Sequence, residues 1–377
     1  MGGAAAGGGG RHGAVSDTPL GRRLARLIAE TGPITVADYM AHCLGDPEHG
    51  YYLAREPFGP KGDFVTAPEI SQMFGELVGA WLAEAWHAAG RPTEVRLVEL
   101  GPGRGTLSAD ILRTLRLVPD LVAAATLHLV ETSPRLRAIQ AETLAAAPVA
   151  AHWHDRLDDV PAGFTLAVAN EFFDALPVRQ FVRTDTAWQE RVVGLDADGS
   201  LAFGLGPGAL AACELPPRLR AAPTGAILEV SPASIAVMQT LAGRIAGHSG
   251  AALVIDYGHA ETGLGETLQA VAAHAYADPL AAPGEADLTA HVDFSALARA
   301  ARSAGAAAHG PIGQGAFLSA LGLAQRAARL SRDADAATRA AIAAAADRLA
   351  APGEMGTLFK VLAVTPQGDA PPPPFAV

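Results

Sequence analysis

Val98-Glu99-Leu100-Gly101-Pro102-Gly103-Arg104-Gly105-Thr106 is the stretch that decides the fold. A short apolar strand over 95–100 runs into three glycines at alternating positions, and a helix over 107–117 follows. Glycines let the backbone approach a ligand closely and adopt φ values that side chains disfavour. The start of the helix adds free amides and the positive end of its dipole. A dinucleotide turn would read GxGxxG, with the third glycine packing helix against strand. Here the third glycine comes one position early, and Thr106 stands where it should fall. Glu99 also lies two residues before the first glycine. S-adenosylmethionine (SAM) has a cationic amino group and no diphosphate, so an acid beside the loop suits it better than a nicotinamide dinucleotide.

Outward from this turn the pattern is strand, helix, strand. An apolar strand over 127–130 ends at Glu131-Thr132-Ser133-Pro134, and a helix over 134–147 follows. An acid at the tip of the second strand can accept both ribose hydroxyls, so Glu131 supports a nucleoside ligand. Asp155, after a short third strand, is placed to meet the adenine amino group. A fourth strand over 164–169 runs into Asn170-Glu171-Phe172-Phe173-Asp174. Such alternation implies a mostly parallel sheet with helices on its faces. Ligands of open α/β sheets lie outside the carboxyl ends of the strands, which places Asn170, Glu171 and Asp174 beside the reacting group. Asp256-Tyr257-Gly258-His259 ends a further apolar strand near the same cleft. His49 and His291 have no partners at ligand spacing, so no metal site is expected.

The 377 residues allow one large domain with additions. Residues 1–17 read as a flexible Gly/Ala leader, and 18–94 as a helical and loop region. That region contains helices over 20–30 and 71–89 and a second helix capped by Thr35. The α/β domain spans 95–365. It carries an inserted β-hairpin over 181–205, turning at Asp196-Ala197-Asp198-Gly199, and an alanine-rich helical addition over 295–350. Ile227–Val230 reads as a return to the α/β pattern. Residues 366–377 form a proline-rich tail. Basic residues number 28 and acidic ones 39, a net charge of −11 with no basic run, which excludes a typical nucleic-acid binder. Cys43 and Cys213 lie far apart and read as thiols of a reducing compartment. The longest stretch without charge, 303–325, is broken by glycines and Pro311, so no membrane insertion is expected.

The chain resembles the MidA-like SAM-dependent methyltransferases. The matching segments include Glu48-His49-Gly50-Tyr51-Tyr52, Gly62-Asp63-Phe64-Val65-Thr66-Ala67-Pro68-Glu69-Ile70-Ser71 and Phe74-Gly75-Glu76. They continue with the glycine stretch, 130–134, 170–177, Asp256-Tyr257-Gly258 and Gly356-Thr357-Leu358-Phe359-Lys360-Val361, and the likeness covers roughly 20–364. The N-terminal segments are the specific ones. The resemblance implies a class I methyltransferase fold with an added helical region. It also implies a protein substrate: an arginine in a core, quinone-proximal subunit of respiratory complex I, or its bacterial equivalent. Glu99, Gly101, Gly103, Gly105, Thr106, Glu131 and Asp155 are then the expected cofactor residues, and Asn170, Glu171 and Asp174 the catalytic ones. A bacterial cytoplasmic location is expected, or the mitochondrial matrix in a eukaryote. A non-catalytic SAM-binding assembly factor and a nicotinamide-dependent oxidoreductase are the rival readings. The oligomeric state stays open, a homodimer included.

Overall fold

Seven strands build the central sheet of the computed structural model, which describes residues 18–54, 66–210, 215, 217–272 and 275–376. The leader expected over 1–17, the 62–65 part of the quoted motif and Cys213 lie outside these residues. We number the strands β1 (Val95–Leu100), β2 (Ala125–Val130), β3 (Ala151–His154), β4 (Thr165–Asn170), β5 (Gly250–His259), β6 (Ala306–Gly313) and β7 (Phe359–Pro366). Their spatial order is β3-β2-β1-β4-β5-β7-β6, and Val292–Asp293 adds a short pairing at the end of β5. Strands β1 to β5 pair in parallel, whereas β7 is antiparallel to both β5 and β6.

Parallel strands are covered on both faces, so they read as continuous apolar runs. Every residue of β4 is buried. Alternate residues serve opposite faces. Leu97, Leu129, Val168 and Ile255 face helices Gln72–Ala88 and Thr106–Leu115. Val98, Ala167, Val254 and Leu362 face helices Pro232–His248 and Phe294–Ser303. The chain order reverses between β1 and β4, and that crevice is where ligands of such sheets bind.

The hairpin expected over 181–205 is present as Trp188–Leu195 paired with Leu201–Leu210. Asp196 Oδ1 closes its turn by accepting the N–H groups of Asp198 and Ser200 at 2.9 and 2.8 Å. The hairpin is part of a five-stranded antiparallel sheet, and three sequence expectations change around it and beyond. Ile227–Val230 pairs with Arg179–Arg183 in this second sheet and does not return to the central one. A four-residue apolar run carries no information about which sheet receives it. Residues 295–350 are not uniformly helical, because Ala306–Gly313 is the edge strand β6. Alanine favours helix, but pairing with β7 outweighs that preference, and Pro311 is tolerated at an edge. The proline-rich tail is packed: Phe375 is buried, and Trp81 Nε1 donates to Pro373 O at 2.8 Å.

The N-terminal helices Pro19–Thr31 and Val36–Gly45 form a further core with Val193, Leu268 and Leu288. Thr35 caps the second of them, accepting from Asp38 N–H. Among the described residues no helix is long and apolar enough to cross a membrane.

Candidate active site

The three glycines sit at positive φ: +64° at Gly101, +53° at Gly103 and +83° at Gly105. L-residues pay a steric penalty there, so the turn requires glycine. A Cβ on Gly101 would lie 2.8 Å from Cδ2 of Phe172, so the loop also needs the space. Thr106 opens the following helix, and its hydroxyl donates to Glu69 Oε1 at 2.6 Å. Glu99, at the end of β1, is buried and accepts a short hydrogen bond from the Ser108 hydroxyl. Burial pushes its pKa up to about 7.

A cleft of about 690 Å³ runs along the carboxyl ends of β1, β2 and β4. Gly101, Gly103, Glu131, Asp155, Glu171 and Phe172 are among the residues lining it. That volume is in the range of small-molecule and cofactor sites. Glu131 follows β2, and its Oε1 accepts the Ser133 N–H at 2.7 Å. Gln140 ties this acid to the glycine loop. Its Nε2 lies 3.3 Å from Glu131 Oε2 and donates to Gly103 O at 2.8 Å, while its Oε1 accepts from Trp153 at 2.8 Å. Asp155 stands at the exposed mouth, paired with Arg137 at 2.6 Å.

The loop after β4 forms the opposite wall. Glu171 has φ +49°. For a residue with a Cβ that conformation costs on the order of 1–3 kcal/mol and persists only where neighbours enforce it. Here they do: Asp256 Oδ2 accepts three successive backbone N–H groups, from Phe172 at 3.2 Å, Phe173 at 3.0 Å and Asp174 at 3.2 Å. Its Oδ1 accepts the Tyr257 N–H at 2.9 Å. Glu171 Oε1 accepts from Ala67 N–H and from Asn170 Nδ2, each at 3.0 Å, and Oε2 takes no hydrogen bond among the described residues. Burial, with help from the nearby Asp174, pushes the Glu171 pKa up to about 7.

This architecture is shared with proteins of known family. A family model described as S-adenosyl-L-methionine-dependent methyltransferase matches residues 77–312. The chain belongs to that family. It is 41% identical over 376 residues to the mouse protein arginine methyltransferase NDUFAF7, mitochondrial, covering 93% of this chain and 85% of that one. The human protein of the same name is 41% identical over 374 residues, with 93% and 84% covered. Among solved structures, a superfamily member from Burkholderia thailandensis bound to S-adenosyl-homocysteine aligns with a TM-score of 0.82 and 33% identity. That alignment covers 93% of this chain and 92% of the other. The MidA-like resemblance and the class I fold are therefore established, and the enzyme is a SAM-dependent methyltransferase.

The geometry fits that cofactor independently. The glycine turn leaves room for a ligand at the sheet's switch point, and an acid follows β2 at the cleft wall. Asn170 Oδ1 is buried without a hydrogen-bond partner among the described residues, as expected of an acceptor that a ligand would satisfy. The sequence-predicted residues do not all converge. Glu171 lines the cleft. Asp174 is buried beside the Tyr257 hydroxyl and is not among the lining residues. The three N–H groups drawn onto Asp256 hold the chain there, with Asp174 in the last of them.

Several contributors escape sequence reading: Glu69, Gln140, the Ala67 N–H and the bracing role of Asp256. Asp256→Asn is expected to leave the fold intact while lowering its melting temperature by roughly 2–4 °C. Hydrogen bonds to a charged group contribute about 1.5–3 kcal/mol, and the amide retains only one acceptor oxygen. Thermal unfolding followed by circular dichroism checks this. An unchanged melting temperature would mean that the loop does not depend on the carboxylate.

Proposed function

We propose that this methyltransferase acts on an arginine side chain of a protein, with Glu171 as the carboxylate that receives the guanidinium. The observation that carries this reading is Glu171 itself. It stands on the cleft wall at the end of β4, in an enforced left-handed conformation, with both of its side-chain hydrogen bonds among the described residues on Oε1. SAM, when bound, supplies an electrophilic methyl group on a sulfonium. A guanidinium nitrogen is a poor nucleophile because its lone pair is delocalised over the cation. A fixed carboxylate aligns the attacking nitrogen and localises charge on the far side of the group. The planar fork of arginine suits that carboxylate better than a lysine ammonium.

In this reading the glycine turn, with Glu99 and Thr106, holds the amino-acid half of the cofactor. Glu131 accepts the ribose hydroxyls and Asp155 faces the adenine. Asn170 contributes beside Glu171, and Asp174 supports the wall from behind. The names of the mitochondrial relatives support arginine as the acceptor. The resemblance points further, to a core complex I subunit, in the matrix of a eukaryote or the cytoplasm of a bacterium. The glycine loop, with Glu131 and Glu171 on the cleft wall, favours turnover over a purely structural assembly role.

Labelled methyl transfer from SAM into protein, followed by hydrolysis and amino-acid analysis, tests the acceptor. Methylarginine is expected. Methyl-lysine, or label confined to small molecules, would refute the assignment. A pH profile tests the role of Glu171. Its ionised form is the one that binds a guanidinium, and its pKa is raised to about 7. Activity should therefore fall as pH drops through the folded pKa. The inflection in kcat/KM for the acceptor is expected at or below about 7, because the positive cofactor favours the carboxylate. Glu171→Gln should abolish that inflection, and a variant that retains it would place the titration on another group.

A further inference from the structure

We infer that Glu69, which comes from the N-terminal region outside the central sheet, is a direct ligand of the cationic amino group of the cofactor. The inference rests on the SAM reading of the cleft and adds a residue to it. A small cavity of about 40 Å³ adjoins the main cleft. The two share Gly101, Gly103 and Glu171 as wall residues. Its remaining polar walls include Glu69, Glu99, Thr106 and Asn170. A cavity of that size holds more than a single water and suits a compact polar head such as an ammonium with its attached carbon.

Its chemistry selects a cation. Three carboxylates, Glu69, Glu99 and Glu171, face one small space. Clustered acids alone would say little. Asn170 adds an independent sign, because it lines the same cavity and its Oδ1 is buried with no partner among the described residues. A buried acceptor left unsatisfied costs free energy, and an N–H donor of a ligand relieves it. An ammonium carries three donors and no acceptor, which matches a wall of acceptors. The other chemistry in the cofactor does not match: its carboxylate would be repelled here, and its adenosine is far too large.

Glu69 is positioned for this by helix Ala67–Ile70. Its Oε1 accepts the Thr106 hydroxyl at 2.6 Å, which brings the side chain over the start of the glycine-loop helix. The Ala67 N–H of the same short helix holds Glu171. One segment therefore touches the cofactor loop and the acceptor carboxylate together.

The test compares two ligands by titration calorimetry on the full chain. S-adenosyl-homocysteine carries the amino-acid end, whereas 5′-methylthioadenosine keeps the adenosine and lacks it. Glu69→Gln is expected to weaken S-adenosyl-homocysteine by about ten- to a hundredfold, the range for one hydrogen bond to a charged group. Its affinity for 5′-methylthioadenosine should stay within about twofold, which also shows that the variant is folded. Unchanged affinity for S-adenosyl-homocysteine would overturn the assignment. Equal losses for both ligands would overturn it too, because Glu69 would then act only by bracing the loop through Thr106. Wild-type protein that binds 5′-methylthioadenosine as tightly as S-adenosyl-homocysteine would refute an amino-group subsite of any kind. Wild-type protein that binds neither would refute the SAM reading along with it.

Discussion

Glu171→Gln is expected to keep SAM affinity within a few-fold of wild type and to lose methyl transfer by about thirty- to several-thousand-fold. Removing one partner of a buried, hydrogen-bonded charge pair costs about 2–5 kcal/mol, and 1.4 kcal/mol is a decade. Glutamine keeps an oxygen for the Ala67 N–H and the Asn170 amide, the two donors that hold Oε1. The loop should therefore stay in place, since Asp256 still gathers the N–H groups of Phe172, Phe173 and Asp174. What changes is the second terminal atom. It becomes an NH₂ that faces the donors of the incoming guanidinium and cannot accept from them. Steady-state kinetics with a protein acceptor, read beside calorimetry, separates the two effects. Wild-type turnover would show that Glu171 only braces the loop. A parallel collapse of cofactor binding would make it a cofactor residue.

Gly101→Val is expected to abolish measurable cofactor binding, a loss of more than about a hundredfold, while the protein stays folded. The backbone at +64° costs an L-residue roughly 1–2 kcal/mol, and a β-branched side chain more. The new Cβ would also sit 2.8 Å from Cδ2 of Phe172, a residue that lines the cleft. Strain and lost ligand space thus act together. Gly103→Val, at +53°, should behave alike. Glu131→Ala makes the comparison. It removes hydrogen bonds to the ribose but leaves the loop open, so a loss of about ten- to a hundredfold is expected. Calorimetry with S-adenosyl-homocysteine decides. Wild-type affinity in both Gly101→Val and Glu131→Ala would place the cofactor elsewhere.

The parts of this site that were legible in the sequence are those encoded by short-range pattern. A strand, alternating glycines and a helix specify the turn, because the φ values it needs are ones only glycine adopts freely. Glu131 and Glu171 are legible because each directly follows a buried strand, and the sheet itself aligns those ends. The unreadable parts are long-range. Glu69 and Thr106 are 37 residues apart, as are Gly103 and Gln140, and no periodicity connects them. Asp256 lies 82 to 84 residues from the amides it gathers, and only the pairing of β4 with β5 brings them together. That gathering also explains Asp174. An acid three residues after Glu171 looks like its partner, but the turn of the loop leaves it buried beside Tyr257. The strand at Ala306–Gly313 was hidden for a different reason. Its alanines favour helix, and only the neighbouring strand β7 makes extended backbone worthwhile.

The central claim is that this enzyme places methyl groups on a protein arginine through Glu171. Its most direct test is peptide mapping by mass spectrometry of the respiratory complex I subunits, or their bacterial equivalents, from three cell lines. One has the wild-type protein, one lacks it, and one carries Glu171→Gln. The account predicts a methylated arginine in the first that is missing from the other two. An arginine methylated equally in all three, or a methyl group that depends on this protein but sits on another residue type, would contradict it.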